Sequence, residues 1–559
     1  MTFRGIALAL LLLAGIPAAA QERDAFTFTD YKLAVTIHPQ QQTIEARGSI
    51  VLRNDSSTPQ KKAWFQISSA LRWATVRAGS QTLAFTQSAV RSDVDHTGSV
   101  DEAQVTLPSA LQPQQSLELE VGYSGRILLN AQRLERLGTP GAVAAHTDYD
   151  LISAKFTILR GMGHVLWFPA ALEPATLDQE NKVFRATEQW RVRHVASRME
   201  LELAIDGPPQ TVITNADSNE IDAHDQQRQT ILWRSLGLSG PVLVMSNYAV
   251  ASGPMTLAYI PAHQEGALQY AEAIKNFEPP LRGPQKVTPI LAELPEQEDE
   301  AFDGGKIFLL PIKMVERRSF DLTLAYVWAH ATIASPRPWI SEGAAHYAQA
   351  IMRERQQGRR AAIEFLNQKK PGLSLIEPDI STSAGNADHG ESLINASEEI
   401  YYRTKAMFVW WMLRDLVGDG VVAKALLHYR PEEDRSPAYM QKLLEAESHT
   451  SLEWFFDDWV YRDRGLPELK VSDVYARESL RGAYLVTIPV ENSGAAAAEV
   501  PVIVTTKAGD VMGRLRVPAR GSAVARIEVG STPLSVTVND GSVPETDLRD
   551  NSAPVKLPQ

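Results

Sequence analysis

The period of the hydrophobic pattern changes twice along this chain, and no single sheet or helical bundle accommodates both periods. From about residue 25 to 250, apolar and polar residues alternate between polar turns, as in Tyr31 to Ile37, Ile44 to Leu52, Leu117 to Tyr123, Met199 to Ile205 and Val242 to Met245. Alternation over runs of this length marks half-buried strands. Near Pro254 the spacing becomes helical, first over Gly266 to Phe277 with Leu268, Ala271, Ile274 and Phe277 on one face, then over several longer runs to Tyr461. After Gly465-Leu466-Pro467 the alternation returns, from Lys470 to Val538. The chain therefore reads as multidomain: an all-β domain over 21–252, a mostly helical domain with a small sheet at its start over 253–465, an immunoglobulin-like β-sandwich over 466–545, and a polar tail over 546–559. With 559 residues there is enough chain for each domain to have a core.

Residues 1–20 have the pattern of a secretory signal, with Arg4, an apolar run from Ile6 to Ile16, and Ala18-Ala19-Ala20 before Gln21. The expectation is a periplasmic or extracellular protein with no membrane span after cleavage. The chain contains no Cys, so no disulfide braces the fold and no thiolate serves as ligand or nucleophile. A net charge of −12, spread over scattered acids, gives no basic footprint for nucleic acid.

The chemistry concentrates in residues 321–347. The run from Asp321 to Ala334 is apolar nearly all round, with Ser319 placed to cap it and Pro336 and Pro338 to end it. His330 is the strongly polar residue of its last two turns. A buried histidine there has either a hydrogen-bond partner or a metal. Glu342 and His346 lie four apart on the next helix, with Ser341 as the expected cap. That spacing permits joint metal ligation, and it is also the spacing of ordinary surface contacts. The tandem Trp410-Trp411 reads as core.

Several motifs together resemble the gluzincin zinc aminopeptidases, the family of aminopeptidase N and leukotriene hydrolase. They are Leu117 to Gly125, Trp167-Phe168-Pro169 before Lys182 to Thr187, Trp339 to Tyr347, Lys405-Ala406 with Met412-Leu413-Arg414 and Gly418, and Phe455 to Trp459 with Gly465-Leu466-Pro467. The likeness spans about residues 26 to 465. It implies an N-terminal β saddle, with Lys182 to Thr187 as a strand, and a thermolysin-like catalytic-type domain. It further implies a zinc site whose Glu ligand corresponds to Glu342, and peptides as substrates.

The family's chemistry is incomplete in this register. An HExxH zinc motif needs His, Glu and His on one helix. Here the frame holds Tyr326, Val327 and His330. Valine takes no proton from a metal-bound water, and a protonated phenol is a poor zinc ligand. Only residues 331–341 separate His330 from Glu342, a shorter gap than the family's. The substrate-amine carboxylate is absent from the segment Asp303-Gly304-Gly305-Lys306, where Gly304 and Gly305 remain as candidate substrate-binding residues and Lys306 would repel an amine. Arg403 stands where the family has its transition-state Tyr, with Tyr402 the nearby catalytic candidate. The metal candidates are His330, Glu342 and His346, and zinc itself is in doubt with only two in-register ligands. The expected function is a secreted, catalytically degenerate aminopeptidase-like protein that binds peptides or a protein partner. The alternative is an active metallopeptidase with a nonstandard zinc site.

Overall fold

The computed structural model describes residues 23–179, 182–312, 317–373, 392–394, 400–462, 464–479, 482–545 and 547–557. The signal-like residues 1–20 lie outside them, as do most of residues 369–398, which the polar sequence with Gly385 and Gly390 marks as a long loop. Long alternating strands build the N-terminal part. Phe26–His38 and Thr43–Asn54 pair antiparallel at the centre of an eight-stranded sheet, flanked by Ser116–Arg126 on one side and Arg198–Ile205 on the other. The Phe26–His38/Arg198–Ile205 pairing is parallel, so the sheet is mixed rather than wholly antiparallel. Phe28, Leu33, Val35 and Ile37 point into a core shared with the three-stranded sheet of Gln60–Ser68, Ser99–Leu111 and Phe85–Arg91.

One expected strand is a helix. Lys182–His194 is α-helical, and Val183, Thr187, Trp190 and His194 form its buried face. Those residues recur at intervals of three and four, which is helical spacing. The family resemblance had suggested a strand there, and the local period prevails.

The middle region opens with a five-stranded sheet ordered Ala249–Ala251, Thr256–Tyr259, Ile290–Glu293, Ile307–Leu310 and Phe302–Asp303. The first helix, Gln264–Lys275, is rotated from the expected face. Leu268 is exposed, and Ala267, Tyr270, Ala273 and Ile274 are buried. Two helices then carry the motif residues, Arg317–Thr332 and Pro338–Gln357. Pro338 begins the second helix instead of only ending the first, since proline lacks the N–H that a first helical turn leaves unpaired. Ser341 is consequently inside that helix and buried, not at its cap.

Beneath these helices lies an aromatic floor. Trp339, Trp410 and Trp411 are fully buried, and the rings of Trp339 and Trp410 stack with centroids 5.4 Å apart. Gly343 permits this approach, because a Cβ there would sit 2.5 Å from the Ala406 Cβ. The last region is a β domain of strands from Leu469–Val471 to Ser552–Lys556. The final strand lies within the expected polar tail and pairs with Pro533–Val538 and Val474–Glu478. Its apolar core is continuous with that of the helical region.

Candidate functional site

The two motif helices meet over a cluster of charged groups. Tyr326 and His330, one turn apart on Arg317–Thr332, present parallel rings with centroids 5.7 Å apart. Glu342, in the first turns of Pro338–Gln357, faces them. The residues 333–337 that join the helices are pinned from outside. Ser335 Oγ meets Tyr429 Oη at 2.7 Å, and Arg337 Nε donates to Asp434 at 2.8 Å.

The third contributor comes from the small sheet. Asp303 ends the edge strand Phe302–Asp303 and enters the cluster beside His330. The hairpin behind it holds it there. Gly305, in the left-handed region at φ +81°, donates its N–H to Asp303 Oδ1 at 2.8 Å. Asn215 of the N-terminal β region donates to the Gly304 carbonyl at 3.0 Å. Gly304 and Gly305 thus help position a carboxylate. Lys306 turns away and donates to the Ala216 carbonyl, so it does not stand against an amine.

His330 is held between two carboxylates. Its Nδ1 lies 3.0 Å from Asp303 Oδ2, and its Nε2 lies 3.0 Å from Glu342 Oε1. Tyr326 Oη lies 2.6 Å from Asp303 Oδ2 and 3.1 Å from Glu342 Oε2. Arg403 Nε completes the cluster at 3.1 Å from Glu342 Oε2. Arg403 belongs to a π-helical turn, Ile400–Lys405, that precedes the helix Ala406–Val417. Such widened turns re-aim side chains at functional places.

These contacts decide the charges. Burial alone would keep His330 neutral, but Asp303 and Glu342 outweigh it and lift its pKa well above the ordinary value. Burial would raise Glu342, yet His330, then Arg403, hold it far below the usual carboxylate range. Burial, then the two carboxylates, push the Tyr326 phenol well up, so it is a donor. His330 thus links the Asp303 and Glu342 carboxylates, and Arg403 joins them through Glu342.

Three ligand atoms from Asp303, His330 and Glu342 lie within 4.8 Å of one another, the one such His/Cys/Asp/Glu grouping among the described residues. The grouping fits a divalent metal poorly. A ligating imidazole needs a free lone pair, and here both ring nitrogens face carboxylates as donors. The carboxylates lie at opposite edges of the ring, so a metal on Nε2 would meet Glu342 and leave Asp303 on Nδ1 as a supporting contact. Asp303 would have to leave His330 Nδ1 to make up the three ligands a catalytic zinc takes. The Arg403 guanidinium adds a fixed positive charge beside Glu342.

His346, expected as a metal candidate, is outside this grouping. Its Nδ1 meets Gln349 Oε1 at 3.1 Å and its ring lies 5.0 Å from that of Tyr326. Burial pushes its pKa down to about 4, which leaves it neutral. Tyr402 is partly buried, and burial followed by the Glu188 and Glu342 carboxylates keeps its phenol protonated. Val327 is buried and offers no proton acceptor. Sequence reasoning missed Asp303 as a site residue. The signal available was an Asp opening an Asp-Gly-Gly turn just before a short strand, which reads equally well as a plain turn.

No family model and no curated protein matches this sequence. Solved structures do. Aminopeptidase A of Legionella pneumophila, in complex with aspartic acid, aligns with a TM-score of 0.58 at 10% identity, over 94% of this chain and 60% of that one. The chain has an aminopeptidase fold. The M1 zinc metallopeptidase of Deinococcus radiodurans aligns at a TM-score of 0.46 and 14% identity, over 76% of this chain and 91% of that one. A mutant of that enzyme bound to a Tyr-Ser-Ala substrate aligns at 0.46 and 16%, over 78% and 94%. Within this aminopeptidase fold the cluster at Glu342 is built from a sheet edge, two crossing helices and a π turn.

Proposed function

We propose that this is an exported, aminopeptidase-like protein that does not hydrolyse peptides and instead binds a peptide or protein partner. The observation that carries the reading is His330 clasped between Asp303 and Glu342, with Arg403 on the far oxygen of Glu342. Positive side chains stand where zinc would be expected, and Val327 occupies the general-base position. Loss of the first ligand, the base and a free second ligand in one place is consistent with a scaffold kept without its hydrolytic chemistry.

The competing reading is an active metallopeptidase with a rebuilt site, and the Asp303–His330–Glu342 grouping is what favours it. Metal analysis of the purified mature protein, alongside a panel of aminoacyl and peptidyl substrates, separates the two. The expected result is substoichiometric zinc and no turnover. Stoichiometric zinc, with turnover abolished in His330→Ala, overturns the proposal. Peptide-library binding then tests the positive part, and retained peptides or a pulled-down partner are the expected result.

A further inference from the structure

A second buried carboxylate lies far from the cleft, where the C-terminal β domain meets the helical region. Glu545 is fully buried. Its Oε2 accepts the Leu469 N–H at 3.0 Å, at the first residue of the strand that opens the β domain. Its Oε1 accepts Asn539 Nδ2 at 2.6 Å and also meets Asn551 Nδ2. One carboxylate thus ties both ends of the 539–551 connection to the start of the domain.

The same connection is gripped from the helical side. Helix Arg359–Lys369 reaches it twice, with Arg359 Nε donating to Asp540 Oδ2 at 3.1 Å and Asn367 Nδ2 donating to the Gly541 carbonyl at 3.0 Å. Asn539 sits in the left-handed region at φ +59°, and its Oδ1 accepts the Gly541 and Val543 N–H groups. The turn at Asn539 has a defined, slightly strained shape, and Glu545 bonds the Asn539 side chain from within.

Charged groups face Glu545 from each neighbouring element. Glu468, beside Leu469, repels it, and accepts the Asp547 N–H at 3.2 Å. Lys370, just past the helix, is within electrostatic reach of Glu545, Glu468 and Asp547, but burial lowers its own pKa. Arg549 is spent on Asp547, and the Asp550 carbonyl accepts the Val471 N–H. No cation bonds Glu545 among the described residues. The Asn551 amide oxygen is buried without a partner. Turning that amide end for end would give a protonated Glu545 an acceptor.

We propose that Glu545 is a pH-responsive latch that fastens the C-terminal β domain to helix Arg359–Lys369. Burial, reinforced by Glu468 and opposed by its three donors, pushes the Glu545 pKa up to about 7. A raised folded pKa means that the latch is complete below the ordinary glutamate range and weakens as pH rises through about 7. Between the ordinary glutamate range and about 7 each pH unit makes opening of the junction about tenfold easier, and above about 7, where both states are ionised, the dependence levels off.

The test is hydrogen exchange of the Leu469–Val471 and 539–551 segments in the full chain, corrected for intrinsic exchange, from about pH 5.5 to 8.5. In the wild type, protection should fall about tenfold per unit up to about pH 7 and level off above it. Glu545→Gln keeps a neutral group of the same shape and should remove the slope. Glu468→Gln withdraws the repelling charge and should move the levelling-off point to lower pH, a result that does not depend on how Glu545→Gln folds. A flat wild-type profile, or an unchanged slope in Glu545→Gln, overturns the proposal. Metal and peptide binding at the cleft play no part in these readouts.

Discussion

Two histidines in this molecule occupy nearly the same local setting and end with opposite charge. His194 closes the helix Lys182–His194, and His330 lies in the last turn of Arg317–Thr332. Each sits on a largely buried helical face. His194 Nε2 accepts the Phe28 N–H at 3.2 Å, and its Nδ1 lies 2.9 Å from the Trp190 carbonyl, a pairing of one donor and one acceptor that a neutral ring satisfies. Burial, only partly opposed by the Trp190 contact, drives its pKa down to about 4. His330 faces two carboxylates instead and is charged. The partners that face each ring choose the protonation state: a backbone N–H and a carbonyl for His194, the Asp303 and Glu342 carboxylates for His330.

The comparison can be broken by substitution. His330→Leu leaves Asp303 and Glu342 buried against each other, and should cost roughly 3–5 kcal/mol in the helical region. Hydrogen exchange of Arg317–Thr332 and Pro338–Gln357 would report it. A loss near zero would mean that the cluster is a solvent-screened surface contact.

The pH response should have opposite signs. For His194 the folded pKa is lowered from the ordinary 6.5 to about 4, so its contribution is present above the unfolded value and lost as pH falls between the two. The shift corresponds to about 3 kcal/mol in the N-terminal β region. For His330 the folded pKa is raised, so its contribution is complete below the ordinary value and lost only as pH climbs through the elevated one. Imidazole NMR titrations of the two residues check both directions, and matching midpoints would refute the contrast.

His194→Leu should cost less than His330→Leu, about 1–3 kcal/mol, since it strands backbone groups rather than charges. Arg403→Gln should have the smallest effect, about 1 kcal/mol or less, because its side chain is 35% exposed and solvent screens the pair. Its sharper readout is metal affinity. With Tyr326→His and Val327→Glu in place, adding Arg403→Gln should strengthen zinc binding further in calorimetry. No gain would show that the guanidinium does not guard Glu342.

Helix Pro338–Gln357 shows how unevenly the site could be read from sequence. Its apolar face, with Trp339, Ala344 and Ala348 buried and Trp339 stacked on Trp410, follows from helical spacing. Glu342 and His346 share the other face at i,i+4, and spacing alone treated them as equals. The structure separates them: Glu342 joins His330 and Arg403, while His346 turns to Gln349. Lys182–His194 was legible from its own period, and resemblance to a strand-bearing family obscured it.

Local periodicity determined the order of β, helical and β regions, the buried tryptophans and the two site helices, because the burial pattern within an element repeats at that element's own pitch. The missing base at Val327 and the phenol at Tyr326 were also plain from the chain. The tertiary structure alone decided that Asp303 enters the site, that Arg403 lies against Glu342, that His330 carries charge, and that Glu545 is sealed at a domain junction. Each depends on groups far apart in sequence meeting out of water, where the local environment, not residue type, sets the charge.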